Sequence, residues 1–200
     1  MTQPAATHPT LPAPAHGEVS RPHLEARLDA VVPGGVALLS ASAGSGKSVL
    51  VRQWMAHRSD QRVALLGLTA RHDDAATLAR DLVEVILAAA PEVDPALGGL
   101  GTASGTSLGK DLVDLLLEHL AALEDGLVLV IEDLHVLSNR DVLEDLGSLA
   151  AGLPTTTRMV ATTRSDPPWR LQRLRLAGTL TEVRSADLAF EGAKAKALLE

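Results

Sequence analysis

The run Ala41-Ser42-Ala43-Gly44-Ser45-Gly46-Lys47-Ser48 constrains the fold of this chain more than any other stretch. Before it stands the wholly apolar Val36-Ala37-Leu38-Leu39. After it, from Lys47 to about His57, come Leu50, Val51, Trp54 and Met55 at helical spacing. A glycine-rich turn between a buried strand and an amphipathic helix, closing on Lys-Ser, is the Walker A phosphate-loop pattern, here with Ala41 in place of the first glycine. Gly44 and Gly46 permit positive φ, so that successive N–H groups converge on an anion. The helix adds its positive dipole end, Lys47 can reach the β- and γ-phosphates, and the Ser48 hydroxyl can ligand Mg²⁺. Ala43, Gly44, Ser45, Gly46, Lys47, Ser48 and Val49 are therefore the candidate phosphate-binding residues.

The rest of the chain repeats the alternation of strand and helix. Leu24, Leu28 and Val31 place a helix over Arg21 to Val31, with Pro22 in its first turn. Val63 to Leu66 reads as a second buried strand, followed by a polar turn around His72-Asp73-Asp74 and a helix from Ala75 to Ala90. Pro91 to Gly109, rich in Gly, Pro, Ser and Thr, reads as a loop. A helix from Lys110 to Leu123, a strand from Leu127 to Ile131 and a helix from Asp141 to Ala151 follow. Met159 to Thr162 and Leu180 to Val183 supply the last strands, and a helix begins at Glu191. The pattern predicts an α/β P-loop NTPase: a five-stranded, mostly parallel sheet sandwiched by helices in three layers, over residues 19–200. Residues 1–18, with Pro, Ala and Thr but no basic or apolar block, read as a disordered tail and not as a signal peptide.

Composition removes several function classes. With no cysteine among 200 residues there is no disulfide framework, thiolate metal site or cysteine nucleophile, and the cytoplasm is the default location. Phe190, Trp54 and Trp169 are the only aromatics, so the core is Leu, Val and Ala, and base-stacking surfaces are not expected. A net charge of -7 argues against direct nucleic-acid contact by this portion. No apolar run reaches membrane-spanning length, so no membrane partner is expected.

The strand Leu127-Val128-Leu129-Val130-Ile131 ends in Glu132-Asp133, a Walker B pattern at the edge where open α/β sheets bind ligands. Glu132 is assigned to Mg²⁺ and Asp133 to positioning the attacking water, though adjacent carboxylates can exchange these roles. Thr162-Thr163-Arg164 ends the fourth strand, and the Arg164 guanidinium suits sensing of a γ-phosphate. Lys47, Asp133 and Arg164 form the candidate catalytic set, with Ser48 and Glu132 as metal ligands. His135 is read as anchoring its loop, Arg170, Arg173 and Arg175 as a solvated helix face, and Trp54 as core. His8, His16 and His23 lack ligand spacing.

Taken in order, Val19-Ser20-Arg21-Pro22, the loop Ser40 to Ser48 running into Gln53-Trp54, Glu132-Asp133-Leu134-His135-Val136-Leu137, and Ala161 to Arg164 with Ser165-Asp166-Pro167-Pro168 resemble the N-terminal ATPase of large LuxR-type regulators. These are similar to the maltose activator MalT and belong to the STAND class of signal-transducing ATPases. Leu188-Ala189-Phe190-Glu191, leading to Leu198-Leu199, also resembles that family's segment after the fifth strand. The resemblance implies that Arg164's strand lies between the phosphate-loop strand and the acidic strand. It implies that Val19 and Arg21 lie against adenine, Arg21 through a backbone or stacking contact. It also implies a switch in which ADP holds a closed state and ATP an open, self-associating one. Two departures stand out: Glu132 replaces the usual Asp, lengthening the arm to the metal, and the family's aromatic near Leu65 or Leu66 and Asp near Thr69 are absent.

The expected function is thus an ATP-binding, slowly hydrolysing switch module using ATP or ADP and Mg²⁺. It stands here as the ATPase core without the lid, winged-helix, helical-repeat and helix-turn-helix parts of such regulators. A stand-alone P-loop enzyme such as a small-molecule kinase would need an Arg-rich lid, whereas Pro91 to Gly109 holds Glu92 and Asp94 but no Arg. A degenerate copy that binds nucleotide without turnover is the other alternative.

Overall fold

Along the first strand, β1 (Val36–Ser40), Val36 and Leu38 enter one hydrophobic cluster while Ala37 and Leu39 enter another. The period of two sends successive side chains to opposite faces, and an apolar run buried on both faces requires cover on both. The computed structural model describes residues 20–58, 60–93 and 107–189. The expected tail, Val19, most of the expected loop after Pro91 and the helix expected from Glu191 lie outside the described residues.

Five strands form one sheet in the order β2-β3-β4-β1-β5, with β2 (Arg62–Gly67), β3 (Leu127–Glu132), β4 (Thr157–Thr163) and β5 (Leu180–Arg184) all parallel to their neighbours. One face is covered by α1 (Pro22–Asp29), α2 (Lys47–Ala56) and the short α7 (Ser185–Leu188). The other is covered by α3 (Ala75–Ala89), α4 (Lys110–Ala121), α5 (Arg140–Ala151) and the short α6 (Leu171–Leu176). This is the three-layer P-loop NTPase architecture that the sequence predicts.

Helix α3 shows how the sequence specifies this cover. Its buried residues, Ala75, Leu78, Ala79, Leu82, Val83 and Ile86, keep the three-and-four spacing of one helix face, and the Asp74 carboxylate caps its start by accepting from the Thr77 N–H. Burying each leucine contributes about 1.5–3 kcal/mol, so this stripe outweighs any local propensity. Trp54 is core, as read, with its indole N–H donating to Asp29 Oδ1 at 2.9 Å. Trp169 is also buried; its N–H donates to the Leu143 carbonyl at 3.0 Å and its ring fills the space left by Gly147, where a Cβ would come within 2.7 Å of Trp169 Cδ1.

The outer strand β5 is fastened by charge. Glu182 accepts from Arg175 Nε at 2.8 Å and Nη2 at 2.9 Å, and is also paired with Arg184, which in turn pairs with Asp166. Arg175 and then Arg184 hold the Glu182 carboxyl down to about 2 from its ordinary 4.5, against the opposing effect of burial. A depressed folded-state value means that the stabilisation is fully present above pH 4.5 and is lost as pH falls towards 2. Between those limits the melting temperature of the wild-type chain should fall more steeply with acid than that of Glu182→Gln. Equal slopes would show that the cluster contributes nothing.

Candidate functional site

The phosphate loop leaves β1 at Ser40 and enters α2 at Lys47. Gly44 has φ 74° and Gly46, the N-cap of α2, has φ 83° and ψ 20°, both in the left-handed region that the sequence reading requires. At Gly44 the requirement is purely conformational, since an added Cβ would meet nothing within 4 Å. At Gly46 it would also meet Arg21 Nη1 at 3.0 Å. Lys47 is 7% exposed, and its ammonium donates to the carbonyls of Ala41 at 2.7 Å and Ser42 at 2.9 Å. Burial lowers its pKa, and the Asp133 carboxylate partly offsets this.

Sheet order brings the acidic strand and Arg164 to the same edge. β4 lies between β1 and β3, pairing Ser40 with Thr163 and Ile131 with Ala161, so Arg164 leaves the sheet between the phosphate loop and the two acids. This is the strand placement the resemblance implies. Arg164 is exposed, and its charge depresses the pKa values of both Lys47 and His135.

Ser48 and Glu132, the two proposed metal ligands, are neighbours: the Ser48 hydroxyl favours the charged form of the Glu132 carboxyl, against the larger opposing effect of burial. Glu132 Oε1 is buried with no hydrogen-bond partner, and burial, followed by the Asp133 charge, raises the carboxyl's pKa. A buried carboxylate oxygen left over beside a hydroxyl is a hard-oxygen pair suited to Mg²⁺, so the residues present fit the ion.

Asp133 carries the backbone strain of the site. It is the only described non-glycine residue at positive φ, 64°, and its N–H donates to the hydroxyl of the fully buried Thr162 at 2.9 Å. A left-handed aspartate is uncommon and persists where surrounding contacts fix it. The carboxylate is half-exposed, and His135 Nδ1 lies 3.6 Å from its Oδ1, beyond hydrogen-bond range. Burial first, then the charge of Arg164, lowers the His135 pKa, disfavouring the charged ring.

Lys47, Ser48, Glu132, Asp133 and Arg164, picked out from the sequence, thus converge at one sheet edge. Val19 lies outside the described residues. Arg21 is buried, and its guanidinium lies on the phosphate loop itself, donating to the Ser45 carbonyl at 3.4 Å, a contact that the expected adenine position did not include. His135 belongs beside the acid pair rather than merely in its loop. Its sequence signal was its place two residues after Asp133. Thr162 was legible only as a polar strand end.

Two open clefts, of about 720 Å³ around Arg62, Asp125 and Arg158 and about 890 Å³ around Trp169 between α4, α5 and α6, contain none of these residues. Convergent chemistry, not concavity, locates the site.

Residues 20–161 match the family model of the AAA ATPase domain. The chain is 29% identical over 164 residues to the serine/threonine-protein kinase PknK of Mycobacterium tuberculosis, and equally to that of Mycobacterium bovis; the match covers 81% of this chain and 15% of each relative. The chain thus spans about 15% of the length of the curated relatives it matches. Among solved structures, Cdc6p from Pyrobaculum aerophilum superposes with a TM-score of 0.54 at 18% identity, over 91% of this chain and 47% of that one. A chain of Drosophila ORC bound to DNA gives 0.52 at 17% identity, over 82% and 88%. At such identities these two show a shared fold alone. With the family model covering most of its length and the phosphate loop and acidic strand built as described, the chain belongs to the AAA ATPase domain family.

Proposed function

We propose that this chain is the ATP-binding, slowly hydrolysing switch module of a LuxR-type, MalT-like transcriptional regulator of the STAND class. The observation that carries the nucleotide site is the phosphate loop, with Gly44 and Gly46 at positive φ and the Lys47 ammonium held on its carbonyls, at the same sheet edge as Glu132 and its buried, unpartnered oxygen. Lys47 and the loop N–H groups hold the phosphates of ATP or ADP. Ser48 and Glu132 would hold Mg²⁺, which when bound neutralises phosphate charge. Asp133 accepts the proton of the attacking water, and Arg164 meets the γ-phosphate. ATP and ADP shift a conformational equilibrium only through contacts that differ between the two states, and Arg164 and Lys47 offer such contacts. Val19 and Arg21 are assigned to the nucleotide as well.

The ordered motifs from Arg21 to Pro168 support the regulator reading. The likeness to a stretch forming 15% of a protein named as a kinase favours a module carried inside larger signalling proteins. Nucleotide-dependent self-association, a cytoplasmic setting and a core over residues 19–200 belong to the same proposal. Among the described residues no helix is long and apolar enough to cross a membrane. The acidic balance supports a reading without direct nucleic-acid contact by this portion.

Phosphate release separates this reading from that of a small-molecule kinase. ATP and Mg²⁺ alone should yield inorganic phosphate slowly. Release that appears only with an added acceptor would overturn the switch reading.

A further inference from the structure

Asp73 is one of the most heavily bonded carboxylates among the described residues, and it lies on a different connection from the acid pair. It sits in a 3₁₀ turn, Ala70–Asp73, between β2 and α3. Its oxygens accept the N–H groups of Ser138 at 2.7 Å and Asn139 at 2.9 Å, and also the Ser138 hydroxyl. In return the Asn139 side-chain amide donates to the Asp73 carbonyl at 2.9 Å, while its oxygen caps α5 through the N–H of Asp141. The donors around Asp73 hold its carboxyl below the usual aspartate range.

The turn beneath Asp73 is itself fixed. His72 is 1% exposed; its Nδ1 accepts from the Thr69 N–H at 2.8 Å, which leaves Nε2 to donate to Asp81 of α3 at 3.0 Å. The Leu68 N–H donates to the Glu132 carbonyl at 3.0 Å, so the β2 connection holds the acidic strand's end at a second point.

We infer that Asp73 is a positioning residue that fixes the conformation of Asp133. The segment from Asp133 to Asn139 is pinned at its start by Thr162 and at its end by Asp73. Between the pins it makes one short 3₁₀ turn, Leu134–Val136, closed by the Val136 N–H on the Asp133 carbonyl. So short an arc has little slack. Releasing its end lets Asp133 leave the left-handed region, an uncommon conformation that only surrounding contacts maintain. The catalytic consequence rests on the proposed role of Asp133.

Amide hydrogen exchange and ATP turnover, measured on the full chain and on Asp73→Ala and Ser138→Ala, test this. In Asp73→Ala the amides of Val136 to Asn139 should exchange at least about tenfold faster, as expected when charge-assisted hydrogen bonds are lost, while those of the phosphate loop stay unchanged. The turnover number should fall at least about tenfold with the Kd for Mg-ATP altered less than about threefold, a split that a merely structural role would not produce. Ser138→Ala, which removes one of the donors, should give a smaller change of the same kind and decides the matter if Asp73→Ala fails to fold. Unchanged exchange at Val136 to Asn139, or turnover and affinity lost in parallel, overturns the inference. If the wild-type chain releases no phosphate, the hydrolysis reading fails, and the exchange results still decide whether Asp73 holds the arc.

Discussion

Lys47→Ala is expected to abolish measurable ATP binding. Each charge-assisted hydrogen bond from the ammonium to phosphate contributes about 1.5–3 kcal/mol, so losing two of them weakens binding by at least about a hundredfold. The fold should survive, because the ammonium's present partners are two carbonyls of the loop itself, Ala41 and Ser42, and not the sheet or the helices that cover it. Lys47 is also predisposed to the task. Its pKa is lowered by burial, so it gains from a phosphate partner more than a fully solvated lysine would. Unchanged affinity by calorimetry, with an unchanged circular dichroism spectrum, would remove the phosphate loop from the account.

Asp133→Asn should keep nucleotide affinity and lose turnover by about a hundredfold or more, the range for removing a general base. The substitution is a clean one here. Asparagine tolerates the left-handed backbone, with φ 64°, and the hydrogen bond to Thr162 comes from the main-chain N–H, so neither anchor changes. Glu132→Gln should instead weaken the Mg²⁺ dependence of ATP binding, because it alters the orphaned oxygen beside Ser48. Retained hydrolysis in Asp133→Asn together with its loss in Glu132→Gln would exchange the roles of the two acids.

The layered sheet was legible because buried parallel strands write themselves as short apolar runs. Val36 to Leu39 and Leu127 to Ile131 could face cover on both sides and little else. The phosphate loop was legible because positive φ at Gly44 and Gly46 leaves a residue-type signature. Strand order was not readable from periodicity, and the central place of β4 came from family resemblance. The Asp73 contact to Ser138 and Asn139 left no trace, since a hydrogen bond across 65 positions of chain imposes no spacing rule on sequence. Reading His72-Asp73-Asp74 as a polar turn found the turn but not its function, and His72 is in fact buried. Arg21 was tied to the nucleotide by resemblance, while its closeness to Gly46 emerged only from packing.

Lys47, Ser48, Glu132, Asp133 and Arg164 are proposed to make one nucleotide site. Calorimetric titration of the chain with ATP, with and without Mg²⁺, and with ADP tests it most directly. One site per chain, tightening of ATP binding by Mg²⁺, and loss of both signals in Lys47→Ala are expected. Absence of heat from the folded wild-type chain, or binding that Lys47→Ala leaves intact, would contradict it.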